Sequence, residues 1–182
     1  FRFAGMPFGY RDAGRILTRI MRTPLTKWRK AGISSYIHIY DGLGFCQSKG
    51  EARVASKMVR EDIKKLGLKV SEEKCCWEPC QVFEWCGFLW NMKEFTVSVT
   101  REKKARIKEM AKELRQSKVV SARQKAALTG LIIACTPAVG RAARFYTRTT
   151  DGEMTVQVKV ELTFWEERMD EFSGQLIRKA AS

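Results

Sequence analysis

Residues 34–47 read SSYIHIYDGLGFCQ. Over 34–40, Ser35, Ile37 and Ile39 alternate with Tyr36, His38 and Tyr40, the two-residue period of a strand rich in β-branched and aromatic side chains. Asp41 followed by Gly42 predicts a tight turn, and 43–47 the returning strand of a hairpin. Helices are predicted on both sides. Upstream, a Pro/Gly turn at 6–10 (MPFGY) leads into a helix ending near Gly32, with Ile16, Leu17, Ile20, Met21, Leu25 and Trp28 on one side. Arg11, Arg15, Arg19 and Arg22 recur at i, i+4, i+8 and i+11 and so line a narrow stripe on the other side. Downstream, 49–66 is a helix with Ala52, Ala55, Met58, Val59, Ile63 and Leu66 as its apolar face and Gly67 as its stop.

Beyond this core, 68–70, 81–90 and 94–99 predict further strands, and from Thr100 the pattern turns helical. Ile107, Met110, Ala111 and Leu114 form a stripe beneath a basic surface. Ser121 and Gln124 make an S-x-x-Q capping box for a helix running through 131–134. Pro137 ends that helix, 138–149 gives a third, and Asp151 with Gly152 a turn. Leu162, Trp165, Met169 and Phe172 mark a last amphipathic helix. The order predicts an α+β domain followed by a helical region.

The 182 residues carry 34 Lys+Arg and 20 Asp+Glu, a net charge of +14, and 45% hydrophobic residues, an ordinary globular composition. The charge is uneven. Residues 1–50 hold 9 basic and 2 acidic side chains, 51–100 hold 8 of each, 101–148 hold 13 and 3, and 149–182 hold 4 and 7. Two basic zones of this kind point to a polyanionic partner, nucleic acid being the usual one, because guanidinium forks pair bidentately with phosphate and displace counterions. No apolar run reaches the roughly 18 residues of a membrane span, so no membrane partner is expected. The six cysteines, Cys46, Cys75, Cys76, Cys80, Cys86 and Cys135, are spaced unlike a zinc site, and the only histidine, His38, lies apart from the cluster. They read as reduced structural thiols of an intracellular protein. The chain begins with Phe1, which reads as a piece of a longer protein.

Several segments, in order, resemble the reverse transcriptases of DIRS-type (tyrosine-recombinase) retrotransposons. Residues 6–19 (MPFGYRDAGRILTR) are similar to the family's P-F-G-x-x-x-A-x-R-x-x-T-[KR] segment, and 37–44 (IHIYDGLG) to its Y-x-D-D hairpin. Residues 66–74 (LGLKVSEEK) resemble L-G-x-x-[VI]-x-x-x-K, and 84–89 (EWCGFL) the E-[FW]-L-G-F primer-grip hairpin. Residues 121–129 and 137–147 resemble the helical region beyond the palm, and 165–177 the start of the connection to an RNase H domain. The resemblance implies a partial polymerase palm over 1–99, a thumb-like helical region over 100–150, and a linker helix over 151–182. It implies RNA-directed DNA polymerase chemistry, with Mg2+ as cofactor and an RNA–DNA or DNA duplex and dNTP as partners.

The implied roles follow the motifs. Phe8 and Gly9 lie beside nucleotide and template, and Arg15 and Arg19 face phosphates. Lys74 protonates pyrophosphate, and Trp85, Gly87 and Phe88 form the primer grip. Lys103, Lys104, Arg106 and Lys108 follow the duplex backbone without reading sequence. In-line nucleotidyl transfer uses two hard cations held by carboxylates, and the family supplies three aspartates, one on a strand upstream of residue 6 and two in the hairpin. That strand is missing from the sequence. Counting back from Leu43 and Ser48 puts Tyr40 at the first hairpin aspartate and Asp41 at the second; the other register makes Asp41 the first and Gly42 the second. Either register leaves Asp41 as the one metal ligand and predicts no polymerisation by the chain as it stands. His38 stands for the hairpin's usual Tyr, and Arg11 and Gly14 for the Ser or Pro near the start of the first helix. The alternative is a non-catalytic nucleic-acid-binding module derived from such an enzyme.

Overall fold

A computed structural model describes residues 5–6, 9–117, 120–148, 155–172 and 174–177. The chain is α+β and divides into two compact units, Phe1–Cys80 and Gln81–Ser182. Among the described residues no helix is long and apolar enough to cross a membrane.

The first unit holds α1 (Ala13–Lys30), an antiparallel hairpin of β1 (Ser34–His38) and β2 (Asp41–Phe45), and α2 (Lys49–Lys65). Its core is Met21, Trp28, Ile33 and Ala55, with Leu17, Leu25, Ile37, Met58, Val59, Ile63 and Leu68 packed around them. Both helices stop in the same way. Gly32 (φ 83°) and Gly67 (φ 70°) take the left-handed conformation that glycine adopts without a side-chain penalty. The amides of Gly32 and Ile33 donate to the carbonyls of Arg29 and Trp28, and those of Gly67 and Leu68 to Lys64 and Ile63. In each case the apolar residue after the glycine packs back on the core, which completes a Schellman termination. This use of Leu68 explains why 68–70 forms no strand, contrary to expectation.

The hairpin also departs from expectation. His38 pairs with Asp41, so β1 ends at His38 and the turn is Ile39 with Tyr40, not Asp41 with Gly42. Turning two residues later would pair Ser35 with Ser48, yet Ser48 caps α2 by accepting from the Glu51 amide. The observed register instead sets Gly42 opposite Ile37 and Gly44 opposite Ser35, so the β2 backbone lies close against Ile33 and Ile37. On the other face Tyr36 and Phe45 meet edge to face at 6.2 Å. The register places β-branched Ile39 at φ 54°, a conformation that costs about 1–3 kcal/mol.

The second unit is built on a four-stranded antiparallel sheet, β3 (Val82–Trp85), β4 (Phe88–Asn91), β5 (Thr96–Val99) and β6 (Gln175–Leu176), in that order. The run 81–90, a strand by its own pattern and a hairpin at 84–89 by the resemblance, is a hairpin. Cys86 (φ 52°) and Gly87 (φ 74°) form its two-residue turn, the paired positive φ values of type I′. The helices are α3 (Arg101–Gln116), α4 (Ala122–Ala134), α5 (Thr136–Val139), α6 (Ala142–Phe145) and α7 (Val156–Arg168). The third helix expected over 138–149 is thus two short ones, parted at Gly140 (φ 64°), while the turn at Asp151 and Gly152 lies outside the described residues. Ile107, Ala111 and Leu114 of α3 are buried against Leu128, Ile132, Leu162 and Trp165.

The strands β3–β5 pack with the helices that follow them through Phe88, Val97 and Val99, within the unit that begins at Gln81. Among the described residues of 151–182, α7 buries Val158, Leu162 and Trp165 in this core, and β6 pairs with β5. The Ser121 capping box is present in full, with the Gln124 amide donating to Ser121 Oγ (3.3 Å) and the Ser121 amide to Gln124 Oε1 (3.0 Å). Ser121→Ala is expected to lower the stability of this unit by about 1 kcal/mol, read as a fall in its urea midpoint.

Candidate nucleic-acid interface

On α1 the apolar and basic faces are opposed. At 100° per residue, Arg15, Arg19 and Arg22 fall within an arc of about 60°, with Met21, Pro24 and Trp28 on the far side, while Arg11 sits in the turn just before the helix. All four arginines are exposed, and Arg15, Thr18, Arg19 and Arg22 line an open groove of about 510 Å3. Arg15 is shared with Asp12, whose Oδ1 accepts from Arg15 Nε at 3.2 Å. Among the described residues neither Arg19 nor Arg22 has an acidic partner.

Two contacts fix α1 on its neighbours. Arg29 Nη2 donates to the Ser35 carbonyl of β1 at 2.8 Å. On α2, Asp62 is only 9% exposed. Its carboxylate accepts from Lys27 Nζ at 2.7 and 2.8 Å and from Trp28 Nε1 at 2.9 Å. The hydrogen bonds from Lys27 and then Trp28 hold the Asp62 carboxyl below its ordinary range against the opposing effect of burial. In the sequence this carboxylate shows only as an acid inside the apolar stripe of α2, beside Ile63 and four residues after Met58.

The hairpin tip reaches the first turn of α1, where a side chain at Gly14 would lie 3.8 Å from Ile39 Cγ2. The tip displays Tyr40, 70% exposed, and Asp41, also exposed. Asp41 is the only carboxylate of the hairpin. Among the described residues no three Asp, Glu, His or Cys side chains come together as a metal site. A hard divalent cation takes six or more oxygen ligands, several of them carboxylates when the protein dominates the site, and one exposed aspartate does not provide this. The residues present therefore do not fit the Mg2+ pair that the resemblance implies.

The remaining expected site residues fall in both units. Gly9 is exposed at φ 80°, and Phe8 lies outside the described residues. Lys74 is exposed on a 3-10 turn, Glu72–Lys74, that follows α2. Trp85, Gly87 and Phe88 belong to the second unit. Phe88 is 8% exposed and part of the core, with Lys103 Nζ 4.8 Å above its ring. Trp85 is half-buried beside Trp90, and Gly87 leaves room for Lys103, which a side chain there would meet at 3.1 Å. The four basic residues of α3 do not act alike. Lys104 donates to the Asp170 carbonyl, Lys108 forms an ion pair with the Asp170 carboxylate and keeps it below its ordinary range, Lys103 covers Phe88, and Arg106 is exposed. Arg115 adds a forked pair to Glu166 between α3 and α7, at 2.8 and 3.2 Å.

Compared with known protein families the chain matches none, and a comparison with curated proteins likewise returns no match.

Proposed function

We propose that this chain derives from a reverse-transcriptase palm and thumb, that it holds an RNA–DNA or DNA duplex by its phosphates, and that it does not itself transfer nucleotides. The observation that carries the reading is the outward row of arginines on α1, two of them without acidic partners, on a helix pinned to its neighbours by Arg29 and Asp62. A rigid row of guanidinium groups, spaced about 5–6 Å apart by helix geometry, matches the roughly 6–7 Å repeat of a phosphate backbone closely enough to neutralise several phosphates at once. In support of this descent, the turn of the hairpin, Ile39 and Tyr40 between His38 and Asp41, falls inside the segment 37–44 that resembles the Y-x-D-D hairpin.

The second reading, a module retained only for binding, is favoured by the same tip. A phenol with a pKa near 10 cannot replace a carboxylate as metal ligand, so Tyr40 and Asp41 together offer one anionic ligand at neutral pH. Both readings predict duplex binding that needs no divalent metal. Titrating the chain with a labelled RNA–DNA duplex across a salt series in EDTA is expected to give a log–log slope of about −3, from three to four neutralised phosphates. Absence of binding at low salt would remove both.

A further inference from the structure

We propose that Cys76 and Cys80 form a redox-modification site, a dithiol that closes to a disulfide when it meets a small-molecule disulfide. Their sulfurs lie 3.8 Å apart and both residues are exposed. The other thiols are half-buried, except Cys135, which is fully enclosed. A disulfide needs 2.05 Å, so the remaining approach is less than 2 Å.

The chain between the two sulfurs is already held in a closed form. The Trp77 carbonyl accepts from Ser56 Oγ at 2.7 Å, Trp77 Nε1 donates to Glu72 at 2.8 Å, and the Arg60 guanidinium lies 5.5 Å from the Trp77 ring centre. Glu78 accepts from Arg53 through Nε at 3.0 Å and Nη2 at 2.6 Å, with Lys49 at 3.7 Å. Inside the loop, Cys76 Sγ donates to the Glu78 carbonyl at 3.2 Å. Contacts to α2 on Trp77 and Glu78, two of the three residues between the cysteines, mean that part of the entropy of closing this loop is spent on folding, before any bond forms. Among the described residues no three Cys, His, Asp or Glu side chains come together as a metal site.

The step balances with the small disulfide as oxidant. One cysteine thiolate attacks a sulfur of RSSR, breaking its S–S bond and releasing RS−. The second thiolate then attacks the resulting mixed disulfide at the cysteine sulfur and expels the second RS−. The pair loses two electrons and two protons, and RSSR becomes two RSH. Burial and the neighbouring Cys76 sulfur push the Cys80 thiol above its ordinary value, so closure should accelerate as pH rises from 7 to 9. The new bond would tie Cys80, the last residue of the first unit, to the loop held on α2.

The test equilibrates the whole chain, and separately a peptide of residues 71–84, with mixtures of oxidised and reduced glutathione, followed by intact mass and peptide mapping. The chain is expected to lose two hydrogens, retain no glutathione and show a Cys76–Cys80 link. Its half-oxidation point should need at least about tenfold less oxidised glutathione than the peptide's, because only the chain holds the loop closed. Arg53→Ala, a surface change whose fold is checked by circular dichroism, should move the chain back toward the peptide by about two- to fivefold, the worth of one exposed ion pair. A lasting glutathione adduct, a link through Cys75, or an equilibrium no better than the peptide's would overturn the proposal.

Discussion

Replacing Arg15, Arg19 and Arg22 together with Gln is expected to weaken duplex binding by about 100-fold at low salt and to bring the log–log salt slope about 2 to 3 closer to zero. Gln keeps the helix propensity and much of the aliphatic stem, so α1 remains helical and the change isolates charge. The single variants should rank unequally. Arg19 and Arg22 carry no acidic partner, whereas Arg15 already spends part of its charge on Asp12. Removing Arg15 should therefore cost least, and Asp12→Asn should strengthen binding slightly. Lys104 and Lys108 provide the contrast. Both are directed to Asp170, whose carboxylate offsets part of their charge, so their joint replacement by Gln should change affinity less than about threefold. Fluorescence anisotropy with the same duplex reads all of these. Should the triple variant bind with unchanged slope, the interface lies elsewhere, and Arg106 on α3 is the next exposed cation to remove.

Local signals in the sequence carried through where the local chemistry also decides the structure. Gly32 and Gly67 end their helices because only the left-handed conformation lets the next residue fold back onto the core. The Ser121 box and the arginine row depend on residues within a few turns of one another and were legible for that reason. The hairpin turn was not, because a local preference for Asp-Gly loses to the cap at Ser48 and to the glycines packed under Ile33 and Ile37. The change of composition at Thr100 marks a change of surface charge; β3–β5 pack with the helices that follow them where Phe88, Val97 and Val99 bury their side chains, which charge does not report. The strand at Gln175 has only two residues and exists by pairing with β5, so no period in its own sequence could announce it. Of the candidate site, the exposed stripe was readable; its anchor at Asp62 and the Cys76–Cys80 pair rest on contacts among residues that only the fold brings into register.

That anchor gives the largest expected effect on stability. Asp62→Ala leaves Trp28 Nε1 buried with no acceptor in a residue that is 3% exposed, and it frees Lys27. Losing charge-assisted bonds while stranding a buried donor costs about 2–3 kcal/mol, which should appear as faster hydrogen exchange along α1 and α2. Asp62→Asn keeps one carbonyl oxygen for Trp28 and should lose about half as much. The two variants also separate charge from packing through pH. The folded carboxyl titrates below its unfolded value of about 3.9, so its contribution is fully present above that pH and is lost as pH falls through the folded value. Wild type should therefore lose more stability than Asp62→Asn between about pH 5 and pH 2, the difference closing at the acid end where both side chains are neutral. Glu72, Glu78, Glu166 and Asp170 are likewise held low by cationic or hydrogen-bonding partners and add acid lability to both proteins equally, so only the difference curve reports Asp62. Because Asp62 holds Lys27 and Trp28 while Arg19 and Arg22 project from the opposite face of the same helix, Asp62→Ala should also weaken duplex binding, by less than the triple arginine variant and with the salt slope retained. A loss of affinity with unchanged slope would mean that the phosphates are still met by the same cations, on a helix that must first be ordered.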